Sequence, residues 1–319
     1  MVLPNNEVNM KRKLISFLFL MCSFLVDSCE QNDTWKYLGQ NPPTDNPEVF
    51  ALDIITTNQH EHSAPAISPD GKFIFWSAFK NTSTRIQAIY FVKFEGDKWS
   101  EPKVASFSGK YSDGGPCFSH DGNRLYFYSL RPVSEDSTKL ENDLWYIEKT
   151  ESGWTQPQNF GLSSLATYDK WVFSPSVSAK GNIYITGSLN NTHGLYKIQV
   201  TGNTFEKPVP LDEKINSDYE EFNWIPYISP DESYLIFSSK RKDSRAFNDL
   251  YISFKLKDGD WSIPINMGDK INNGSHVRFP CVSPDDKYLF FTRDNSNRRD
   301  DVYWMDAGII DKLRKSIKN

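Results

Sequence analysis

Apolar residues along this chain fall into short runs set off by polar turns, with no long amphipathic stretch before the C-terminal end. The first full unit is Pro65-Ala66-Ile67-Ser68-Pro69-Asp70-Gly71-Lys72-Phe73-Ile74-Phe75-Trp76-Ser77. It reads as two strands around a tight turn, because Pro presets φ and Gly accepts φ > 0 without a steric cost. The second run is apolar at consecutive positions, which predicts a strand covered on both faces. The opening recurs at Pro116-Cys117-Phe118-Ser119, Pro175-Ser176-Val177-Ser178, Pro226-Tyr227-Ile228-Ser229 and Pro280-Cys281-Val282-Ser283, at intervals of 51, 59, 51 and 54 residues.

Each opening leads through a polar turn into an apolar strand: Phe73-Ile74-Phe75, Leu125-Tyr126-Phe127, Ile183-Tyr184-Ile185, Leu235-Ile236-Phe237 and Leu289-Phe290-Phe291. A third strand recurs around Tyr90, Tyr146, Tyr196, Tyr251 and Tyr303, and a fourth follows an aromatic residue and a proline (Trp99 and Pro102, Trp154 and Pro157, Phe205 and Pro208, Trp261 and Pro264). Four short strands in each repeat of about fifty residues predict the blades of an all-β propeller. The fifth repeat lacks its fourth strand, and Pro47-Glu48-Val49-Phe50 matches the missing piece. The N-terminal strand is therefore expected to complete the last blade, giving five blades, with six as the alternative. Residues 45–305 make up the propeller in this reading, and 306–319 a short polar helix and tail.

Lys11, Arg12 and Lys13 precede an apolar stretch from Leu14 to Val26, shorter than the roughly 20 residues of a spanning helix. Residues 1–28 read as a signal peptide that starts at Met10. The apolar run ends at Val26-Asp27-Ser28-Cys29, which resembles a bacterial lipobox and implies lipidation of Cys29, although Asp27 departs from that pattern. Residues 29–44 would be a linker, and the acidic and polar Glu30-Gln31-Asn32-Asp33 resembles the export signal of Bacteroidetes surface lipoproteins. Cys117 and Cys281 hold equivalent positions two blades apart, too distant for a disulfide, and read as small core residues.

Ser68-Pro69-Asp70-Gly71-Lys72, Ser229-Pro230-Asp231 and Ser283-Pro284-Asp285 resemble the WD40-like repeat of TolB-type propellers. Those propellers typically have six blades, so five is a departure. The resemblance implies a non-catalytic scaffold or recognition role at the outer membrane, on its periplasmic or surface side. Five-bladed propellers also include glycosidases, so a carbohydrate-active enzyme or glycan-binding subunit is the alternative.

Net charge is −5 with both signs interspersed, which argues against a nucleic-acid partner. The implied partner is an envelope protein or a glycan, the membrane is met only through the lipid anchor, the chain is a monomer, and no cofactor is called for. The turn aspartates are explained by turn chemistry. On the opposite face Glu61, His62, Asp113, Asp169, Trp171, Glu220, Glu221, His276 and Arg278 precede the openings and Arg131, Arg241 and Arg293 follow the second strands. This ring at the channel mouth suits a polar ligand; paired carboxylates there could serve glycoside hydrolysis; the plain alternative is that the charges pair with one another. His60 and His62 share a strand face from which Glu61 points away, and His276 could approach His62 if the first and last blades adjoin, which makes a poor metal site. The loop from Arg131 to Asn142, with Glu135, Asp136 and Glu141, is a further recognition candidate. The recurring Trp99, Trp154 and Trp261 read as packing residues.

Overall fold

The computed structural model describes residues 36–80, 86–134, 142–162, 168–189, 192–201, 204–216, 223–295 and 299–317, with the side chains of 168–171, 189 and 192 left aside. Residues 1–39 and 40–319 form separate units; in the first, 36–39 make a short turn. The second is a five-bladed propeller.

The strand β1 (Glu48–Val49) precedes the first blade, which holds β2 (Ala66–Ile67), β3 (Phe73–Phe79), β4 (Gln87–Glu95), β5 (Lys98–Trp99) and β6 (Lys103–Val104). The second has β7 (Asp113–Phe118), β8 (Arg124–Ser129), β9 (Asp143–Thr150), β10 (Gly153–Trp154) and β11 (Gln158–Asn159). The third has β12 (Tyr168–Val177), β13 (Ile183–Leu189), β14 (Thr192–Ile198) and, beyond the small hairpin β15 (Val200–Thr201) and β16 (Thr204–Phe205), β17 (Val209–Pro210). The fourth has β18 (Asn223–Ile228), β19 (Tyr234–Ser239), β20 (Asp249–Phe254) and β21 (Ile265–Asn266). The fifth has β22 (Val277–Val282), β23 (Tyr288–Asp294) and β24 (Asp300–Asp306), and β1 pairs with β24 as its outer strand.

That closure is built as the repeat arithmetic predicts. Glu48 lies opposite Trp304 and Val49 opposite Tyr303. The Phe50 amide donates to the Val302 carbonyl at 2.8 Å. Thr56 Oγ1 donates to the Phe50 carbonyl at 2.9 Å and accepts from the Val302 amide at 3.2 Å. Phe50 is fully buried and packs against Phe290 and Trp304, with both ring centroids 5.0 Å away.

The second strand of each blade is apolar on both faces because each blade is sandwiched between two others. Phe75, Phe127 and Trp145 join the cluster between blades 1 and 2; Tyr126, Ile183 and Tyr196 the next; Tyr184, Phe237 and Trp261 the third; Ile236, Phe291 and Met305 the fourth. Trp154 packs against Phe73, Phe75 and Phe118, and Trp261 is buried. The helix α1 (Gly308–Ile317) adds Ile310 to the cluster of blades 4 and 5. Its Arg314 lies over the Phe254 ring at 4.7 Å and donates to Ser233 Oγ at 3.1 Å.

The repeated turn has one mechanism. Ser68 Oγ donates to Asp70 Oδ1 and accepts from the Phe73 amide, so the hydroxyl links both ends of the turn. Ser119 and Asp121, Ser229 and Asp231, and Ser283 and Asp285 repeat the arrangement. The third turn position is left-handed every time, at Gly71 (φ 69), Gly122 (φ 71), Gly181 (φ 83), Glu232 (φ 61) and Asp286 (φ 58). Only glycine adopts that conformation freely.

Candidate functional site

The loops joining the second and third strands, together with the links between blades, form one face. Asp113 is fully buried there and its Oδ1 accepts from Arg131 Nη2 at 2.7 Å and Ser129 Oγ at 2.6 Å. Arg131 also donates to the Phe107 carbonyl at 3.0 Å and lies over Phe127 and Trp145. Arg241 repeats this with the Ile215 carbonyl at 2.8 Å and the rings of Phe237 and Tyr251. Arg293 does so with the carbonyls of Lys270 and Ile271, both at 2.7 Å, and the rings of Phe291 and Tyr303. All three guanidinium groups thus tie an interblade link to its blade.

A second cluster fills the seam between blades 5 and 1. Arg278 Nη2 lies 2.6 Å and 2.8 Å from the two Asp300 oxygens and 3.1 Å from Asp294 Oδ1. His60 Nε2 bonds Asp300 Oδ2 at 2.9 Å. Burial works to raise the Asp300 carboxyl, but the His60 and Arg278 contacts outweigh it and hold it far below the usual carboxylate range. His62 accepts at Nδ1 from Gln87 Nε2 at 3.1 Å, and Gln87 accepts from the Tyr128 hydroxyl at 2.6 Å. Burial pushes His62 down to about 4, so its ring is neutral and can accept. The His62 ring meets Phe279 at 4.9 Å and Phe79 at 5.2 Å, and Tyr128 meets Phe173 at 5.0 Å.

Glu61 is fully buried and faces away from that cluster. Its Oε1 accepts from the Thr57 amide and hydroxyl, and its Oε2 has no partner among the described residues. Burial raises it to about 7 against the pull of the Thr57 bonds. The His276 ring stacks on Phe247, 5.7 Å away, and Lys240 lies 5.3 Å from the same Phe247 ring. Among the described residues no three His, Cys, Asp or Glu side chains converge as a metal site. The side chains of Asp169 and Trp171, the residues Glu220 and Glu221, and the loop over 135–141 lie outside the described residues.

A cavity open to solvent lies on the other side of the aromatic layer. The inner strands are irregular just before the repeat proline: their registers shift between Gly114 and Cys117, Phe173 and Ser176, Trp224 and Tyr227, and Arg278 and Cys281. Gly115 (φ 59), Ser174 (φ 48), Ile225 (φ 54) and Phe279 (φ 52) carry the bulge in the left-handed region. Beyond it the inner strands line a cavity of about 240 Å³ whose walls include the five repeat prolines and the residues after them, Ala66, Cys117, Ser176, Tyr227 and Cys281. Exposed Pro69, His120 and Pro284 stand at its rim, so it opens on the face of the Ser-x-Asp turns. Cys117 and Cys281 are free thiols, and they sit on this wall rather than in the interior of a blade. Nothing in the sequence marks Ser174 for a role, because a bulge at a residue other than glycine leaves no local pattern.

No family model matches the chain, and no curated protein matches it in sequence. Solved structures match in fold. A protein assigned as TolB from Agrobacterium tumefaciens superposes with a TM-score of 0.51 at 16% identity, over 78% of each chain. TolB from Acinetobacter baumannii gives 0.49 at 15% identity, over 79% of this chain and 55% of that one. A thermostable family-43 glycoside hydrolase gives 0.47 at 13% identity, over 79% of this chain and 90% of that one. The chain thus has a TolB-like propeller fold. Among the described residues no helix is long and apolar enough to cross a membrane.

Proposed function

We propose that this chain is a non-catalytic cell-envelope lipoprotein, anchored through Cys29 after removal of residues 1–28, whose propeller recognises a protein partner. The observation that carries the non-catalytic reading is the use of the charged residues on the interblade-link face. Asp113 is committed to Arg131, Asp300 to Arg278 and His60, and Arg241 and Arg293 to backbone carbonyls. Retaining and inverting glycosidases need two accessible carboxyl groups roughly 5–10 Å apart. Asp113, Asp300 and Glu61 are each fully buried instead. The same face exposes Val133 and Phe247 on its loops. Phe247 is already stacked against His276 and Lys240, which suits protein contact better than an open sugar platform.

Three measurements test the reading. Metabolic labelling with an alkynyl fatty acid should mark the wild-type chain and not Cys29→Ala. A photo-crosslinking residue at Phe247 should give a discrete protein adduct in cells, while one at exposed Ile263 on an outer edge gives none. Turnover of any member of a chromogenic glycoside panel, or saturable binding on a glycan array, would overturn the protein-partner reading.

A further inference from the structure

We infer that Asn273 is a self-modifying site: its side-chain amide is converted to a carboxylate through a cyclic imide formed with the Gly274 nitrogen, which places a new negative charge on the interblade-link face. This does not rest on the partner-binding reading.

The sequence meets the first condition. Asn273-Gly274 is the one Asn-Gly pair of the chain. Ring closure requires the backbone nitrogen after the asparagine to reach its Cγ, and a side chain on the following residue crowds that approach. Gly274 has none, and apart from its chain neighbours no described atom lies within 4 Å of where its Cβ would stand. Both residues are exposed, so water reaches the imide.

The fold meets the second. Asn273 Oδ1 accepts from the Ser275 amide at 3.1 Å. That bond curls the side chain over the peptide that carries the nucleophile. It also draws electron density from Cγ, with a donor already on the oxygen that becomes negative as the ring closes. The turn is pinned on both sides. Before it, Arg293 Nη2 donates to the carbonyls of Lys270 and Ile271, both at 2.7 Å. After it, the Asp294 amide donates to the His276 carbonyl at 3.0 Å. A pinned turn holds the curled side chain near its nucleophile. Asn272 is the internal contrast. It is fully buried, its Nδ2 is held by the Leu250 carbonyl at 2.9 Å and Asn266 Oδ1 at 2.8 Å, and a side chain follows it.

The Gly274 nitrogen, having given its proton to water, attacks Asn273 Cγ. The N–Cγ bond forms and the Cγ–Nδ2 bond breaks, and Nδ2 leaves as ammonia with a proton taken from water. Water then opens the imide at either carbonyl, giving aspartate or isoaspartate. Water is the co-reactant, and no atom is oxidised or reduced. The charge appears three residues before His276, whose ring stacks on Phe247.

The test incubates the mature chain in neutral and mildly alkaline buffer, native and unfolded in urea. Fragment masses and labelling by an isoaspartate methyltransferase read the product. Acid should accumulate at position 273 and not at 272, faster at the higher pH, and at least as fast in the native chain as in urea. Gly274→Ala should slow it by about tenfold or more. Gly274 stands at φ 95, so alanine also strains the turn; Asn273→Gln, which keeps the glycine and enlarges the ring by one carbon, should abolish the reaction as well. Asn273→Asp should elute with the aged protein on anion exchange and keep the wild-type thermal midpoint. The inference is overturned if the native chain reacts about tenfold more slowly than the unfolded one, since the turn would then protect Asn273, or if Asn273→Gln releases ammonia as fast as the wild type.

Discussion

Arg278 on β22 and Asp300 on β24 bridge the first and third strands of the propeller's last sheet: one guanidinium nitrogen lies 2.6 Å and 2.8 Å from the two carboxylate oxygens. Asp300 is fully buried and Arg278 largely so, and His60 brings the first blade to the same carboxylate. The pair therefore bonds blade 5 within itself and to its neighbour. Breaking one side of a buried pair leaves the other charge uncompensated, at about 3–5 kcal/mol. Arg278→Leu should lower the unfolding free energy, read from urea titrations, by that amount, and Arg278→Leu with Asp300→Leu together by less than the sum of the single changes. Strict additivity would mean that the two groups do not interact.

Glu61 and His62 are neighbours in sequence with opposite pH linkage. Burial raises Glu61 to about 7, so its protonated form stabilises the fold fully below about pH 4.5, and that contribution is lost as pH rises through 7. Burial lowers His62 to about 4, so its neutral form stabilises the fold above about pH 6.5, and that contribution is lost as pH falls through 4. Between about pH 4.5 and 6.5 the two slopes oppose each other, each at most about 1.4 kcal/mol per pH unit. Glu61→Gln should uncover stability that rises with pH across that window, and His62→Gln stability that falls with it. Denaturation midpoints at a series of pH values check this; parallel profiles for the two variants would contradict it.

Asp286 holds the left-handed turn position that glycine fills in the first three blades. Asp286→Gly should raise stability by about 0.5–1 kcal/mol, read from the thermal midpoint. Glu232 has the same backbone but bonds Asn182 Nδ2 at 2.6 Å and Lys197 Nζ at 3.1 Å. Glu232→Gly should therefore gain nothing or lose stability.

Phe50 is the apolar anchor of the closing strand, buried between Phe290 and Trp304. Phe50→Ala should cost about 3–5 kcal/mol. Hydrogen exchange should then show blade 5 losing protection before the other blades.

The blade count, the turns and the closure are all legible in the sequence because each rests on a local pattern: a Ser two residues before an Asp, a proline-led inner strand, one apolar run per blade. Arg131, Arg241 and Arg293 stand out as charges, yet their role is hidden because they bond backbone carbonyls, which every residue carries alike. Asp300 escapes notice because it sits at the start of a third strand, where the chain also offers Asp301. The cavity is hidden for a different reason. The inner strands bulge at Ser174, Ile225 and Phe279 just before it, and a bulge at a residue other than glycine has no sequence signature.

The closing strand sets the order in which the ring can form. Thr56 and Val302, bonded in the last blade, are separated by 246 residues, while every other blade is assembled from chain segments that follow one another. Loop closure of that length is among the entropically costliest contacts of the described residues and gains nothing until the intervening blades have already shortened the path. Folding should therefore end with residues 48–56 docking onto β24, and a circular permutant opened between the first and second blades, which makes that contact local, should fold faster than the natural chain.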